Sequence, residues 1–600
     1  MVFKFQRQYG FMLRKIFSFL FLIFLIMGIT PLFASNKVVV KQDYNLELIF
    51  SGKHKKYYIT DDIDLNSRTI VIGEGSTLVF KGGSFCNGKL VGNNTRIKAD
   101  DYEIFRRGYT RYRAYKNAND SENTPPSIIK RYYDCIIIEG TWNNKKCGHN
   151  WTGLLDDSQE DVMLALRNYI LLHKEGSDVL VPLIKAFGYE AMRIPGNHKI
   201  DFCGSHLDYP DDLSIWEDNS IPLPNDAVRQ NLESGYGLLS LESNTTIKNL
   251  SINGKASLRQ NEPLRLGVSC IISIGNANNV TLENIYISNV HGPSITAQAG
   301  SKNLTFRGCI FKDIGEHIVY SHQYKGFCRF DNCVFDTWDS ERLSVYRNGL
   351  NYLYKHNPPI DKQDVSYNEL YNFKLQFNDC KFYNPKRINN QGRTLGGFIT
   401  GSFPAVVYVN NCIFVGSQPA LNPGGGEVIS EESGKNWRLI LRNCDGTPVV
   451  YASRSNYNII TEFYDCVNIP FRTVYAKHYE RCELILDVYE DNIENVSLSF
   501  NREFARPLII KDCEFIDNGS SSKVNHPVFH RPIIFENCKF TNYSGRSIES
   551  NLITIKDGYS SVVMFKSCSF NLPNYQLVAG NIRDDIIYFK DCIIDSVKKE

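Results

Sequence analysis

A short motif with a cysteine at a fixed place recurs along the second half of the chain and limits what the chain can fold into. Each copy alternates apolar with polar residues, reaches a small or polar residue, and continues with the cysteine and often an apolar pair. The copies are LTFRGCIF (304–311), CRFDNCVF (328–335), LQFNDCKF (375–382), VYVNNCIF (407–414), LILRNC (439–444), ITEFYDC (460–466), LIIKDCEF (508–515), IIFENCKF (533–540), VMFKSCSF (563–570) and IYFKDCII (587–594). Two earlier copies, TIKNLSI (246–252) and VTLENIYI (280–287), carry Leu250 and Ile285 in place of cysteine.

The alternation has a period of two, which is typical of strands, and its middle carries the residues that tight bends favour. Each copy is therefore predicted to form two short strands that meet at a corner. A third alternating segment follows, as in GPSITAQAG (292–300) and EHIVYSHQ (316–323). Three strands in each coil predict an all-β solenoid, a right-handed parallel β-helix. The spacing of leucine-rich repeats is missing.

The distances between successive cysteines indicate a coil of about two dozen residues with loops of varying length. Cys309 and Cys333 are 24 residues apart, and the next step, to Cys380, is 47 residues. That step is either two coils or one coil with a long insertion at 336–372. Cys482 follows Cys466 by 16 residues, which suggests that it lies out of register.

The cysteines are predicted to stack at one interior position and to serve as small buried hydrophobic residues. Stacked side chains point the same way, so they lack the dihedral angle that a disulfide needs. A ladder of metal ligands is disfavoured because no histidine alternates with the column, and we assign no metal. Cys135, Cys147 and Cys203 lie outside the column and are candidates for disulfide pairing.

The first 35 residues have the features of a signal peptide. Arg14 and Lys15 precede an apolar run from Ile16 to Phe33, and small residues follow. An uncleaved membrane anchor is the alternative, because about 18 apolar residues can just span a bilayer. No other run approaches that length, so we expect no membrane span after cleavage. The predicted location is secreted, periplasmic or on the surface of a Gram-negative bacterium.

Three further regions are expected after the signal peptide. Residues 36–135 form a β-rich N-terminal layer with frequent turns, and residues 136–235 form a helix–strand cap with the first coils. Residues 236–600 form the parallel β-helix. The cap contains a capping α-helix with one apolar face and an N-cap at Asp157 or Ser158. That face carries Val162, Ala165, Leu166, Tyr169 and Ile170.

The charge balance argues against nucleic acid as a partner. The chain has 67 Lys and Arg against 65 Asp and Glu, and no basic stripe stands out. Aromatic residues make up 12% of the chain, which suits strands and surfaces that bind sugars.

The order helix, short strand, turn, strand and repeating coils over residues 140–600 resembles the pectate-lyase-like β-helix superfamily, which includes phage tailspikes. The resemblance implies binding or cleavage of an acidic or complex polysaccharide. No full catalytic motif of the superfamily matches this sequence. The partner is therefore expected to be a polysaccharide, and the assembly a monomer or a homotrimer.

In proteins resembling this one, the substrate groove follows the third strand of successive coils. If the apolar residues of these strands point inward, Ser294, Thr296 and Gln298 point outward in one coil, and His317 and Ser321 in the next. Arg342, Ser344 and Tyr346 would follow in the coil after that. Stacking would then bring two sets of side chains together. The predicted catalytic residues are His317, Arg342, Glu341 and Asp339, and the predicted substrate-binding residues are His291, Gln298, His322 and Tyr346.

Two reactions suit such a cluster. In a β-eliminating lyase, His317 would be the base and Arg342 the cation that stabilises the developing charge. In a glycoside hydrolase, Asp339 and Glu341 would be the paired carboxylates. A non-catalytic glycan-binding or adhesive protein is the alternative, and a structural spike is a third. No cofactor is expected, although Ca²⁺ is conceivable at Asp208, Asp211 and Asp212.

Overall fold

The structure is a computed structural model, and it describes most of the chain from residue 36 onward. The described ranges are 36–115, 127–155, 161–187, 192–208, 228–230, 238–255, 271–290, 294–298, 300–314, 317–321, 323, 325–336, 352–356, 372–384, 397–401, 406–416, 420–421, 437–446, 449–450, 459–471, 476–485, 507–517, 528–529, 532–542, 550–555, 562–572, 575–579 and 587–597. The predicted signal peptide, 1–35, lies outside them. None of the helices within these ranges has the length and apolar character needed to cross a membrane.

The chain divides into two compact units. The first contains Met1–Glu190 and Asp212–Asn231, and the second contains Ala191–Asp211 and Leu232–Glu600.

The first unit begins with a stack of parallel strands, which confirms the predicted N-terminal β layer. Its strands are Lys37–Val40, Lys56–Ile59, Ile63–Asp64, Thr69–Val71, Thr77–Phe80, Phe85–Cys86, Gly88–Lys98 and Ile136–Trp142. A short helix, α1 (Leu46–Phe50), is capped at its N-terminus by Asn45, whose Oδ1 accepts a hydrogen bond from the amide of Leu48 at 3.2 Å. Side chains of Phe50, Phe85 and Phe105 are buried at the centre of this layer.

The second helix of this unit, α2 (Met163–Leu172), caps the strand Ile136–Trp142. Asn168 is buried on the helix and bonds to the backbone of that strand at two points. Its Oδ1 accepts from the amide of Ile138 at 3.1 Å, and its Nδ2 donates to the carbonyl of Ile136 at 2.6 Å. The helix thereby satisfies strand groups that have no further strand to pair with, as the predicted capping helix should.

The start and burial of α2 differ from the prediction. The helix begins at Met163, whose amide donates to Asp161 Oδ1 at 2.8 Å, while the predicted caps at 157 and 158 lie outside the described residues. The five predicted apolar positions are buried, but Met163, Leu164 and Asn168 are buried as well. The helix is therefore enclosed on most of its circumference rather than on one face. Two short strands, Asp178–Leu180 and Lys185–Phe187, follow it.

An antiparallel sheet also belongs to the first unit. It consists of Tyr109–Tyr115, Ser127–Tyr133 and Val228–Gln230, with Ser127–Tyr133 in the centre.

Three series of parallel strands wind through the second unit. The first strands, which precede the motif cysteine, are Lys199–Asp208, Thr246–Asn253, Asn278–Val290, Lys302–Arg307, Lys325–Asp331, Asn372–Asn378, Val406–Asn410, Trp437–Arg442, Ile459–Tyr464, Ala476–Glu480, Leu508–Lys511, Ile533–Glu536, Val563–Lys566 and Ile587–Lys590. The second strands, which follow the cysteine, are Ile310–Ile314, Val334–Asp336, Lys381–Asn384, Ile413–Gly416, Ile469–Pro470, Glu483–Ile485, Glu514–Asp517, Lys539–Asn542, Ser569–Leu572 and Ile593–Val597. The three earliest first strands continue through the corner.

The third strands form separate parallel sheets on the remaining side of the coil. They are Met192–Ile194, Leu239–Leu241, Ile272–Ile274, Ile295–Ala297, His317–Ser321, Tyr352–His356, Gly397–Gly401, Ala420–Leu421, Val449–Val450, Val528–Phe529, Ser550–Ile555 and Tyr575–Ala579. Each third strand pairs with the equivalent strand one coil away, as in Ile272↔Ile295 and Ile295↔Val319. This is the fold expected from the repeat, a right-handed parallel β-helix.

The corner between first and second strands is made by one residue in the left-handed region. Asn332, Asp379 and Asn411 immediately precede motif cysteines and have φ of 52°, 55° and 54°. Asparagine and aspartate tolerate this conformation better than most residues, which explains the residue types at the bend. Their side chains also bond from coil to coil, as when Asn411 Nδ2 donates to Asp379 Oδ1 at 3.2 Å.

The motif cysteines form one interior column, as predicted. The amide of Val334, next to Cys333, donates to the carbonyl of Cys309 at 2.9 Å, so these thiols occupy the same place in adjacent coils. The thiols from Cys309 to Cys568 in this column are buried. Each donates to a nearby carbonyl, as Cys333 Sγ does to Asp331 O at 3.4 Å.

Two open points about the spacing are settled by the register. The amide of Lys381 donates to the carbonyl of Cys333 at 3.0 Å, so the 47-residue step is one coil with a long insertion. The expectation that Cys482 lies out of register is wrong, because the amide of Glu483 donates to the carbonyl of Cys466 at 2.9 Å. The strand irregularity at Thr461 and Glu462 accommodates the short step instead.

None of the three cysteines predicted as candidates for disulfide pairing forms a disulfide. Cys135, Cys147 and Cys203 are free thiols, and Cys203 is exposed. Cys135 Sγ donates to the carbonyl of Tyr133 at 3.3 Å, so its hydrogen-bonding capacity is used locally.

Phenylalanines stack in columns inside the second unit. The rings of Phe306, Phe330 and Phe377 lie nearly parallel in successive coils, with centroids 4.5 and 5.1 Å apart. The spacing follows from the separation of paired strands, about 4.8 Å. The core is therefore a set of vertical columns of like side chains.

Candidate functional site

The outward face of the third strands carries a line of hydroxyl side chains, which we call the hydroxyl column. Ser240, Ser273, Thr296 and Tyr320 occupy equivalent positions in four successive coils. Their strand neighbours are buried, as for Thr296 between Ile295 and Ala297, so these residues lie on the face away from the core. Ser240, Thr296 and Tyr320 are half-buried, whereas Ser273 is only 3% exposed. Parallel pairing places successive members about 4.8 Å apart along the coil axis.

One end of this column carries a charged pair. Arg193 aligns with Ser240 and forms an ion pair with Glu242 next to the column. At the other end, the backbone of Lys355 aligns with Tyr320. The face therefore offers hydroxyl groups in the middle and an ion pair at one end.

The strand His317–Ser321 has the opposite alternation from the one predicted. Ser321 was expected to point outward, but Val319 and Ser321 are buried and Tyr320 is half-exposed. Ser294, also expected outward, is buried and donates to the carbonyl of Ile318 at 2.6 Å. The cause is that Ile318 and Val319 are both buried, which breaks the simple alternation at the start of the strand.

The strand that pairs with His317–Ser321 is not the predicted segment. The next strand of this sheet is Tyr352–His356, with Tyr352 aligned to His317, rather than the segment 341–348. Gln298 is described and exposed, directly after Ile295–Ala297. The remaining predicted site residues lie outside the described residues: His291, His322, Asp339, Glu341, Arg342 and Tyr346.

Asp208, the one residue of the predicted Ca²⁺ site that the structure describes, contacts two basic side chains. Asp208 Oδ1 lies 2.9 Å from His206 Nε2, and its Oδ2 lies 3.7 Å from Lys255 Nζ. Asp211 and Asp212 are outside the described residues. Over the described ranges, no group of three or more His, Cys, Asp or Glu side chains is arranged to hold a metal ion.

A dense ionisable cluster that the sequence analysis missed lies on the outer face of the first strands. Its centre is Glu462, a nearly buried carboxylate, and we call it the Glu462 cluster. Arg438 Nη2 lies 2.9 Å from Glu462 Oε2, the Tyr464 hydroxyl donates to the same oxygen at 3.2 Å, and Lys477 Nζ lies 3.9 Å from Oε1.

The cluster continues into the next coil and along the bend. His478 Nε2 lies 3.1 Å from Glu480 Oε2, and the ring of His478 is 5.3 Å from that of Tyr464. Arg481 contacts Glu480 and binds Asp465 through two nitrogens, at 2.6 and 2.9 Å. Each carboxylate here thus contacts at least one basic side chain.

These contacts fix the charge states within the cluster. Burial opposes ionisation of Glu462, but the hydrogen bond and charge of Arg438 outweigh it and lower the pKa of this carboxyl. Burial and the Glu462 charge raise the pKa of Tyr464, so its hydroxyl remains a donor. The hydrogen bond from Arg481 lowers the pKa of Asp465. The cluster is chemically a paired charge network, suited to holding strands together.

The sequence did contain a signal for this cluster. ITEFYDC places Glu462 and Tyr464 at alternate positions of a first strand, on the side opposite the buried Phe463. The stacking partner, AKHYE, places His478 and Glu480 at the aligned positions. The irregular register between Thr461 and Glu462 conceals this alignment in the sequence.

Comparison with known proteins agrees with the class that the sheets define, a right-handed parallel β-helix. The family model described as a right handed beta helix region matches residues 225–340. No curated protein sequence matches the chain at a significant level.

Solved structures with similar coordinates have low sequence identity. The tailspike protein gp49 from Acinetobacter baumannii bacteriophage Fri1, a capsular polysaccharide depolymerase, is 11% identical, with a TM-score of 0.29 over 73% of this chain. The match spans 60% of that tailspike. The A-module of the mannuronan C-5 epimerase AlgE4 from Azotobacter vinelandii is 10% identical, with a TM-score of 0.28 over 74% of this chain and 96% of its own. The Streptococcus pneumoniae surface protein and adhesin PfbA is 9% identical, with a TM-score of 0.23 over 74% of this chain and 98% of its own.

Proposed function

We propose that this protein is exported and binds a polysaccharide along the outward face of its third strands. The observation that carries the proposal is the hydroxyl column, which parallel register aligns in successive coils and in which Ser240, Thr296 and Tyr320 reach solvent. A polysaccharide is itself a linear repeat of hydroxyl-bearing rings. A protein surface that repeats donors and acceptors at a regular spacing suits such a ligand.

The chemistry of the column supports this partner. Hydroxyl groups both donate and accept hydrogen bonds, as sugar hydroxyls do. The spacing of about 4.8 Å between coils is comparable to the length of one pyranose ring in an extended chain. Tyr320 adds an aromatic face, and aromatic faces pack against the apolar sides of sugar rings.

We propose further that the bound chain is cleaved at the end of the column near His317. His317 would act as the base and Arg342 as the cation of a lyase, or Asp339 and Glu341 as the carboxylates of a hydrolase. His291, Gln298, His322 and Tyr346 would contact the substrate around them. The strand that carries Tyr320 begins at His317, which supports a site at this end of the column.

A non-catalytic glycan-binding or adhesive protein is the second candidate. The observation that favours it is that the described side chains of this face are mainly neutral hydroxyl groups. Within the described ranges the salt bridge found beside the column is the Arg193–Glu242 pair. A binding surface needs no more than this, since fold alone does not imply catalysis.

One experiment separates the two candidates. The purified full chain is incubated with acidic and neutral polysaccharides, and the absorbance of unsaturated products and the appearance of new reducing ends are followed. Binding is measured in parallel by co-sedimentation with insoluble glycans. Product formation supports the enzyme, binding without product supports the adhesive protein, and the absence of both contradicts the proposal.

Variants then locate the site. Thr296→Ala with Tyr320→Ala should weaken glycan binding about tenfold or more, because two hydroxyls and one aromatic face are lost. His317→Ala and Arg342→Ala should abolish turnover without loss of folding. Unchanged turnover in both of the latter would remove these residues from the mechanism.

Chromatographic mass measurement tests the expected monomer or homotrimer, and fractionation of expressing cells tests export.

A further inference from the structure

Three polar side chains form a continuous line across two adjacent coils in the second unit. His206 and Asp208 lie two positions apart near the end of the strand Lys199–Asp208, and Ser251 aligns with His206 in the following coil. His206 Nδ1 lies 3.0 Å from Ser251 Oγ, and His206 Nε2 lies 2.9 Å from Asp208 Oδ1. Both ring nitrogens of the histidine are therefore within hydrogen-bond distance of an oxygen.

The alternation of the strands places this line on the outer surface. Leu207, between His206 and Asp208, is fully buried, and so is Ile252, next to Ser251. Since successive residues of a strand point to opposite faces, His206, Asp208 and Ser251 point away from the core. The His206 and Asp208 side chains are 32% and 25% exposed, so a solute can reach them.

The partner of each ring nitrogen fixes the tautomer of His206. An ionised carboxylate only accepts hydrogen bonds, so Nε2 carries the proton and donates to Asp208. Nδ1 then keeps its lone pair and accepts a hydrogen bond from the Ser251 hydroxyl. Asp208 also contacts Lys255, whose Nζ lies 3.7 Å from Oδ2. The serine hydroxyl therefore donates to a base whose orientation is fixed by a carboxylate on its other side.

A hydroxyl, a base and a carboxylate in this order constitute an activated nucleophile. A serine hydroxyl is weakly nucleophilic unless an adjacent base accepts its proton, and a third group keeps that base in the right tautomer. A second histidine–carboxylate pair, His478 and Glu480, has the same spacing along its strand, but its histidine ring lies beside the ring of Tyr464. The serine hydroxyl on the second ring nitrogen distinguishes the pair at His206.

The surface on the other side of Ser251 suits an ester. Tyr286 aligns with Ser251 in the following coil, on the side opposite His206, and its phenolic hydroxyl can donate to a carbonyl oxygen. Ile310 aligns with Tyr286 one coil further on and is 37% exposed. This face therefore offers a donor for the carbonyl group and an apolar side chain for a short acyl chain.

We propose that Ser251, His206 and Asp208 form an esterase site that hydrolyses short-chain acyl esters. Ser251 Oγ attacks the carbonyl carbon while its proton passes to His206 Nδ1, and the carbonyl oxygen, now negative, accepts from Tyr286. The bond to the alcohol oxygen then breaks, and that oxygen takes the proton from His206 and leaves acyl-Ser251. Water attacks in the same way, which releases the carboxylic acid and restores the serine hydroxyl.

This activity goes beyond glycan binding and does not rest on it. The three residues belong to the strands that form the first and second series, whereas the hydroxyl column belongs to the third strands. Failure of the esterase test would therefore leave the proposal for the hydroxyl column untouched.

Ester hydrolysis by the full chain tests the proposal. The probe is 4-nitrophenyl acetate, and the absorbance of released 4-nitrophenolate gives the rate. Ser251→Ala, His206→Ala and Asp208→Asn should each lower kcat/KM about 100-fold or more, because the three residues act as one unit. Tyr286→Phe should lower kcat about tenfold with little change in KM, because its hydroxyl is used mainly in the transition state.

The matched control is His478→Ala, which removes a histidine paired with a carboxylate at the same spacing in another coil. It should leave the rate unchanged. An equal loss of activity in His478→Ala and His206→Ala would overturn the proposal, and so would a wild-type rate no higher than that of Ser251→Ala.

Covalent trapping gives a readout that does not require any variant to fold. Diisopropyl fluorophosphate phosphorylates an activated serine as the serine oxygen displaces fluoride, and peptide mass locates the modified residue. The wild type should be modified at Ser251, and His206→Ala should be modified about 100-fold more slowly or not at all. A wild-type protein that stays unmodified at Ser251 would show that this hydroxyl is not activated.

Discussion

Arg438 and Glu462 join two adjacent coils through an ion pair of unequal exposure. The guanidinium Nη2 lies 2.9 Å from the carboxylate Oε2, the arginine side chain is half exposed and the glutamate side chain is 5% exposed. Removal of the arginine alone would leave a nearly buried carboxylate with weaker partners. The pair should therefore matter more than an ordinary surface salt bridge.

We expect Arg438→Met to lower the free energy of unfolding at neutral pH by about 1–2 kcal/mol, less than for a fully buried pair because the arginine is half exposed. The folded-state pKa of Glu462 is lowered, so the stabilisation exists above its unfolded pKa of about 4.3 and is lost as pH falls through the folded value. The difference between wild type and variant should shrink below about pH 4. Urea unfolding at pH 7 and at low pH measures it.

The matched control is Arg481→Met, which breaks the exposed contacts of Arg481 with Asp465 and Glu480. Water and salt screen exposed pairs, so this substitution should destabilise the protein less than Arg438→Met. An equal effect of the two substitutions would mean that the burial of Glu462 has no energetic consequence.

The thiol column should be unreactive in the folded protein. The thiols from Cys309 to Cys568 in the column are buried in the core, and burial raises the pKa of Cys333. A water-soluble disulfide reagent at pH 8 cannot reach a thiol enclosed in the core, so these residues should resist it. Cys203, which is exposed, should react first, and Cys203→Ser should remove that phase. Rapid labelling of Cys333 before urea is added, detected by peptide mass, would contradict the buried column.

Asn411 tests the left-handed bend. It has φ of 54°, donates to Asp379 Oδ1 at 3.2 Å and accepts from Asn443 Nδ2 at 3.0 Å. Asn411→Val should destabilise the protein by about 2–4 kcal/mol, because a β-branched residue is strained there and both bonds are lost. Asn411→Gly keeps the conformation accessible and should cost about 1–2 kcal/mol. Thermal unfolding of the two variants should rank valine below glycine, and the reverse order would refute the strain argument.

The phenylalanine column should respond to shortening of one member. Phe330 is fully buried between Phe306 and Phe377. Phe330→Ala should cost about 3–5 kcal/mol, because it removes the ring and leaves a cavity in a rigid stack. Phe330→Leu should cost roughly half as much. Differential scanning calorimetry measures the melting temperatures of the wild type and both variants. A Phe330→Ala variant that melts at the wild-type temperature would show that the stack contributes little.

The coil is well predicted from the sequence because the recurring cysteine motif falls where the backbone and the core tolerate few residue types. The residue before each cysteine must adopt a left-handed conformation, so Asn, Asp and Gly recur there, as at Asn332 and Asp379. The thiol and the aromatic positions must be apolar in every coil. A repeat seen ten times cannot easily be misread.

The candidate site is harder to predict because it depends on single strands. The third strand at His317 is short, and burial of both Ile318 and Val319 shifts the faces by one position. The 47-residue step also hides which segment forms the next third strand, and Tyr352 rather than a residue of 341–348 aligns with His317. The charge pairing around Glu462 requires knowing that Glu462 and His478 are adjacent, which the irregular 16-residue step conceals.

The steps between thiols vary from 16 to 47 residues, yet the alignment from Cys309 to Cys482 is unbroken. Length can therefore change between a second strand and the next first strand while the strands keep their pairing. A deletion of one residue inside Lys325–Asp331 would instead reverse the faces of that strand. During evolution, gains and losses of sequence should accumulate between coils, and those sites are also where a foreign peptide could be inserted for display.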